Sequence, residues 1–131
     1  MGRACVIFLD TCALLYYAFE RKQLSFTATR KIEENDGFLI SSISIWEIGI
    51  KIKKGKLNIP ISLQEFISKL HQVHHFYILS IDEKIWMDSL NLVWDHRDPA
   101  DRVIVASAGA NHMELLTSDR IILDFYFKAV W

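Results

Sequence analysis

Short, uninterrupted apolar runs recur along this chain, and between them the apolar residues fall at helical spacing. Ala4-Cys-Val-Ile-Phe-Leu9 is the clearest run. It has the length of a strand and no polar alternation, which a strand with one wet face would show. Phe38-Leu-Ile40, Phe76-Tyr-Ile-Leu79 and Glu114-Leu-Leu-Thr117 follow, and Lys128 to Val130 offers a fifth. Ala13, Leu14, Tyr17 and Ala18 then mark a first helix, and Thr27 to Asn35 a second, closed by Asp36-Gly37. Ser44 opens a third through Ile45, Ile48 and Ile52, ending near Gly55. After Pro60, Ser62 starts a fourth with Leu63, Phe66, Ile67 and Leu70 on one face. Asp82 caps a fifth through Ile85, Trp86 and Leu90, and Asp98-Pro99 opens a sixth whose apolar side holds Val103, Ile104, Ala106 and Ala110. Strands buried on both faces and alternating with helices require a parallel sheet covered on both sides. The expectation is one α/β domain over residues 1–131, a three-layer α/β/α arrangement around a parallel sheet of four to five strands.

Composition narrows the class of partner. Fifteen Lys and Arg against sixteen Asp and Glu give a net charge of −1, so affinity for a polyanion must come from local clusters rather than from overall charge. Cys5 and Cys12 are too few for a disulfide scaffold, which favours a reducing cytoplasm. The first apolar run is too short for a signal-peptide core, and no run approaches the roughly 20 residues of a membrane helix. The chain reads as cytoplasmic, with no membrane partner.

The acids fall where a parallel sheet binds ligands, beyond the carboxyl ends of its strands. Asp10 follows the first strand and Asp119 the fourth, within Leu116-Thr-Ser-Asp119. Glu47 is expected in the first turn of the helix opened by Ser44, and Asp98 and Asp101 at the start of the helix leading to the fourth strand. Carboxylates gathered at one end of a sheet repel each other, and a divalent cation relieves that repulsion. Each acid also has a structural reading. Ser44-x-x-Glu47 fits a capping box, and Glu47 can pair with Lys51 four residues on. Asp98-Pro99 is an ordinary helix start, Asp101 can complement the helix dipole, and Asp119 can hold a turn. A charged residue ending a buried strand, as Asp10 does, has fewer structural explanations.

Four segments in order resemble the PIN-domain ribonucleases, specifically the VapC-type toxins of toxin–antitoxin pairs. They are Leu9-Asp-Thr-Cys-Ala-Leu-Leu15, Ser41-Ser-Ile-Ser-Ile-Trp-Glu-Ile-Gly-Ile-Lys51 with Gly55-Lys-Leu57, His96-Arg-Asp-Pro-Ala-Asp-Arg102 running into Ala106-Ser-Ala108, and Leu116-Thr-Ser-Asp119. The resemblance implies a PIN-like fold and an endoribonuclease dependent on one or two Mg²⁺ or Mn²⁺ ions. It implies Asp10, Glu47, Asp101 and Asp119 as the catalytic acids. Asp10, Asp101 and Asp119 would touch metal, with Asp98 a cap first and a site residue second. Glu47 would bind through water or act as general base. Cys12 stands where many relatives have His or Asn, and Ala100 where Phe is common. Neither change removes a carboxylate.

RNA approaching an acidic centre needs cations and hydroxyls at its rim. Lys51, Arg97 and Arg102 are the expected phosphate contacts, with Thr11 and Ser118 as hydroxyl contacts to phosphate or carboxylate. Lys53, Lys54 and Lys56 extend the run past Lys51, and Arg120 follows Asp119; a solvated helix end explains the lysines equally well. His96 reads as incidental. Among Tyr16, Tyr17, Phe19, Trp46 and Trp86 some must be core. An exposed remainder would suit a homodimer or a VapB-like antitoxin segment, both of which the resemblance implies.

Three rival functions share parts of this pattern. A haloacid-dehalogenase-type phosphatase also places an Asp after its first strand but expects another two residues later, where this chain has Cys12. A catalytically silent PIN binding module, or an RNA-processing PIN nuclease outside any toxin–antitoxin pair, is an alternative that an RNA-cleavage assay and the gene's neighbour distinguish.

Overall fold

The computed structural model describes residues 5–131, so Ala4, the start of the first predicted run, lies outside it. The strands are β1 (Val6–Leu9), β2 (Gly37–Ser41), β3 (Phe76–Leu79), β4 (Leu115–Leu116) and β5 (Ala129–Val130). They form one all-parallel sheet in the order β3-β2-β1-β4-β5. The helices are α1 (Thr11–Phe19), α2 (Phe26–Glu34), α3 (Ser42–Lys53), α4 (Leu63–Leu70), α5 (Glu83–Asn91), α6 (Pro99–Ala110) and α7 (Arg120–Phe125). A single 3₁₀ turn covers Arg21–Gln23.

The uninterrupted apolar runs sit between two cores because side chains alternate across a strand. On β1, Ile7 and Leu9 face one core while Phe8 faces the other. On β4 the neighbours Leu116 and Leu115 divide the same way, and on β2 Phe38 and Ile40 oppose Leu39. The first core takes Ala13, Leu14, Ala28, Ile48, Phe66 and Leu70 from α1 to α4. The second takes Ile85, Val103, Ile104, Ala108 and Ile122 from α5 to α7. This is the expected α/β/α layering with five strands. Ala110, predicted on the apolar side of α6, is exposed, as are Trp86 and Leu90 on α5.

Two glycines are required by their surroundings. A Cβ on Gly37 would run into the carbonyl oxygen of His75, so β2 meets the entry to β3 too closely for any other residue. Gly55 has φ +70°, and Lys56 donates to the Lys51 carbonyl while Gly55 donates to that of Ile52, closing α3.

The sheet grows from β1 toward β2 and β3 on one side, then crosses to β4 and β5 on the other. The order of strands therefore reverses between β1 and β4. In open parallel sheets the crevice beyond the carboxyl ends at that reversal is where ligands bind. Among the described residues no helix is long and apolar enough to cross a membrane.

Candidate active site

Register places the first acid at the reversal point. Phe8 pairs with Leu115 and Leu9 with Leu116, so Asp10 and Thr117 come next, side by side, as both strands end. Asp10 caps α1: its Oδ1 accepts from the Ala13 amide at 2.8 Å and its Oδ2 from the Thr117 hydroxyl at 2.5 Å. Thr117 in turn accepts from the Asp119 amide at 3.0 Å. One buried hydroxyl thus ties the carboxylate after β1 to the backbone of the acid after β4. Thr117 lies inside the Leu116-Thr-Ser-Asp119 segment but is given no role there by the sequence; its signal is its place as the first residue past a buried strand.

Asp119 caps α7, with Oδ1 accepting from the Ile121 amide at 2.9 Å. The turn expected at Thr-Ser-Asp is therefore the entry to a six-residue helix that periodicity does not reveal. Ser118 lies beside it, partly buried. Asp98 caps α6, accepting from the Asp101 amide at 3.0 Å with Pro99 as the first helical residue. Its cap role is the one observed.

Glu47 departs from expectation. The chain turns from β2 directly into α3, and Ser41, not Ser44, supplies the cap, accepting from the Ile43 amide at 3.2 Å. Glu47 is then the sixth residue of α3 rather than part of its first turn, and the Ser44–Glu47 capping box does not form. Ser44 is fully buried and bonds the Thr11 hydroxyl at 2.8 Å, while Thr11 donates to Glu47 Oε1 at 2.6 Å. With its one proton on Glu47, Thr11 accepts from Ser44. Of the two partners expected for the Thr11 hydroxyl, phosphate or carboxylate, it meets the carboxylate: at 4% exposure it orients Glu47. Lys51 lies 3.4 Å from Glu47 Oε2 in the i,i+4 pair, its side chain 43% exposed.

Arg102 is the second correction. Its Nε donates to the Ser89 carbonyl, Nη1 to those of Trp94 and His96, and Nη2 to those of Leu90 and Leu92, at 2.7–3.4 Å. All five N–H donors of the guanidinium are engaged, which leaves none for RNA. Arg102 instead gathers the connection between α5 and α6, and Trp94 of that connection stacks on Phe125 of α7 at 4.3 Å. The connection delivers His96, whose Nε2 lies 2.7 Å from Asp101 Oδ2. His96 is a partner of the centre, not an incidental loop residue. Arg97 is exposed beside it.

The electrostatics reflect carboxylates short of cations. Burial pushes the Asp10 carboxyl up to about 7; its bonds from Thr117 and Ala13 oppose this, and Asp101 and Asp119 add to it. Burial likewise raises Asp101 to about 6 against the His96 bond, with Asp98, Asp119 and Glu47 contributing. Lys51 loses some basicity to burial but is raised overall by Glu47. Among the described residues, Asp10 and Asp119 have no Lys, Arg or His within ion-pair distance, and Asp101 has His96 alone. No three His, Cys, Asp or Glu groups among them stand close enough to enclose an ion by themselves. The donors are all oxygen and carry uncompensated negative charge. That chemistry suits a hard divalent cation of the Mg²⁺ kind, which takes one or two carboxylates and keeps most of its water.

Cys5 and Cys12 are free thiols, and Cys12 is exposed next to Asp10. Of the aromatic set, Tyr17 packs edge-on to Phe38 and Phe19 against Phe66, whereas Trp46 and Trp86 are 60% and 46% exposed.

Comparison with known proteins agrees with this architecture. The PIN domain family profile matches residues 7–128. Ribonuclease VapC22 of Mycobacterium tuberculosis (strain ATCC 25618 / H37Rv) is 25% identical over 115 residues, which is 87% of this chain and 87% of that protein. A toxin–antitoxin complex from Klebsiella pneumoniae contains a chain of the same fold, with TM-score 0.67 and 21% identity over 95% of this chain and 96% of that one. FitAB bound to an IR36 DNA fragment gives 0.59 and 18%, covering 93% and 89%. FitAcB from Neisseria gonorrhoeae gives 0.56 and 19%, covering 95% and 96%.

Proposed function

This chain belongs to the PIN domain family, and from that premise we propose that it is a metal-dependent endoribonuclease, the toxin of a VapBC-type toxin–antitoxin pair. One observation carries the reading. Four acids from separate stretches of sequence gather at the carboxyl ends of β1 and β4, and the most buried, Asp10, has no balancing cation among the described residues. Similarity to a ribonuclease of the VapC type supports RNA as substrate, and the likeness to a chain seen in a toxin–antitoxin complex supports an antitoxin as partner.

Asp10 and Asp119 would hold Mg²⁺ or Mn²⁺ directly, with Asp101 sharing it. One or two such ions, when bound, supply Lewis acidity for phosphodiester hydrolysis. The protein's own residues do the rest. Thr117 keeps Asp10 and the Asp119 backbone in fixed relation. Thr11 and Lys51 hold the two oxygens of Glu47, which is thereby oriented to accept a proton from water. His96 fixes the Asp101 carboxylate. Ser118, Arg97 and Lys51 remain at the rim for phosphate.

The test is cleavage of total and transfer RNA with Mg²⁺, with Mn²⁺ and with EDTA, comparing wild type and Asp10→Asn. Cleavage by wild type that needs the metal and is lost in D10N is the expected result. Wild-type-like cleavage by D10N, or cleavage undiminished by EDTA, would overturn the assignment.

A further inference from the structure

Ser44 is fully buried on α3, and its hydroxyl does not do what a buried helical serine commonly does. Such a hydroxyl can bond a carbonyl one turn back along its own helix. Ser89 does this with Trp86 and Ser107 with Val103, each at 2.7 Å. Among the described residues, Ser44 instead has a single partner on another helix, the Thr11 hydroxyl of α1 at 2.8 Å.

The direction of that bond follows from the proton count. Thr11 has one proton and gives it to Glu47 Oε1 at 2.6 Å, so the Ser44 proton goes to Thr11. Every hydroxyl proton in the chain from Ser44 through Thr11 to Glu47 then has an acceptor. In the reverse direction Glu47 Oε1 would lose its donor, and the Ser44 proton would be left without a partner where no water reaches it. A hydroxyl that accepts a bond also donates a stronger one. On its other side Glu47 meets only Lys51, 3.4 Å away on a side chain that is 43% exposed. That contact is too long and too wet to fix a carboxylate. The rigid side of Glu47 is the Thr11 side, and Ser44 is the second anchor that holds Thr11 there.

Resting on the nuclease reading above, we propose that Ser44 is a positioning residue for the cleavage step. Acting through Thr11, it fixes Glu47 Oε1 and leaves Oε2 as the oxygen that accepts a proton from water. It touches neither metal nor RNA. Thr11 is also the first residue of α1, the helix that Asp10 caps. The chain therefore ties the acid on α3 to the acid after β1, much as Thr117 ties that acid to the one after β4.

The experiment is a double-mutant cycle of Ser44→Ala and Thr11→Val on the full chain, read in two ways. Cleavage of total or transfer RNA with Mg²⁺ gives kcat and KM, and urea unfolding in EDTA gives stability without metal. S44A should lower kcat about tenfold and leave KM within about twofold, because a contact that only orients Glu47 acts on the chemical step. T11V should lower kcat further. Adding S44A to T11V should then change kcat by less than about twofold, since the route from Ser44 to Glu47 is already cut. In urea the second substitution should help: T11V leaves the Ser44 hydroxyl buried without a partner, so T11V with S44A should unfold at a higher urea concentration than T11V alone. A serine that merely packs α1 against α3 would lower kcat by the same factor in both backgrounds, and that result would refute the proposal. Wild-type kcat in S44A, or a change in KM alone, would refute it too. In each of these cases loss of metal-dependent cleavage in D10N leaves the nuclease reading standing. Absence of cleavage by the wild type would remove both.

Discussion

Asp10→Asn should stabilise the metal-free protein at neutral and alkaline pH while removing its activity. The wild-type carboxyl, 3% exposed, is raised from 3.8 to about 7 by burial, even with its bonds to Ala13 and Thr117 pulling the other way. Between about pH 4 and about pH 7 the folded state holds a proton that the unfolded state has released. Stability therefore falls as pH rises through that window and levels off above it. A difference of about three pKa units corresponds to something on the order of 4 kcal/mol at full ionisation. Asn is neutral throughout, is a favoured N-cap, and can still accept from the Ala13 amide while its own amide donates to Thr117. D10N should thus exceed wild type by up to about 4 kcal/mol near pH 8 and match it near pH 4. A weaker fall should persist in D10N up to about pH 6, the value to which burial raises Asp101. Urea unfolding across this range in EDTA provides the curves, and Mg²⁺ should then raise the stability of wild type but not of D10N. Wild-type stability that rises from pH 5 to pH 8, or a D10N variant less stable than wild type at pH 8, would show that the buried Asp10 carboxyl is not raised.

Arg102→Lys keeps the charge but offers three donors from one point where five carbonyls are arrayed around a planar fork. It should cost on the order of 3 kcal/mol in urea unfolding and lower RNA cleavage by loosening His96 from Asp101. Unchanged stability would contradict the clamp. Thr117→Val, close in shape, removes the hydroxyl that bonds Asp10 and accepts from the Asp119 amide. It should cost about 2 kcal/mol and push the Asp10 carboxyl further up, so that the pH-dependent fall in stability extends above about pH 7. A profile that ends where the wild type's does would show that the bond is not made.

The sheet and the acids at its edge are legible in the sequence because their causes are local. A strand buried on both faces must be apolar at every position, so Val6–Leu9 and Leu115–Leu116 stand out, and an acid ending such a strand can only face the carboxyl edge. The start of α3 is not legible. Ser41, Ser42 and Ser44 can all cap a helix, and only the direct turn out of β2 selects Ser41, which moves Glu47 to the second turn. The role of Arg102 depends on the path of the chain from Ser89 to His96, a tertiary property that its charge does not encode. The same holds for Thr11, whose bonds cross 33 and 36 residues to Ser44 and Glu47. The helix α7, only six residues long, is too short to carry a period.

The most direct test of the proposed metal centre is a crystal structure of the full chain grown with Mn²⁺, read by anomalous scattering. A peak is expected beyond the carboxyl ends of β1 and β4, with carboxylate oxygens of Asp10 and Asp119 about 2.1 Å from it. That peak should vanish in D10N. Ordered acids with no peak between them, at a Mn²⁺ concentration that supports RNA cleavage, would contradict it.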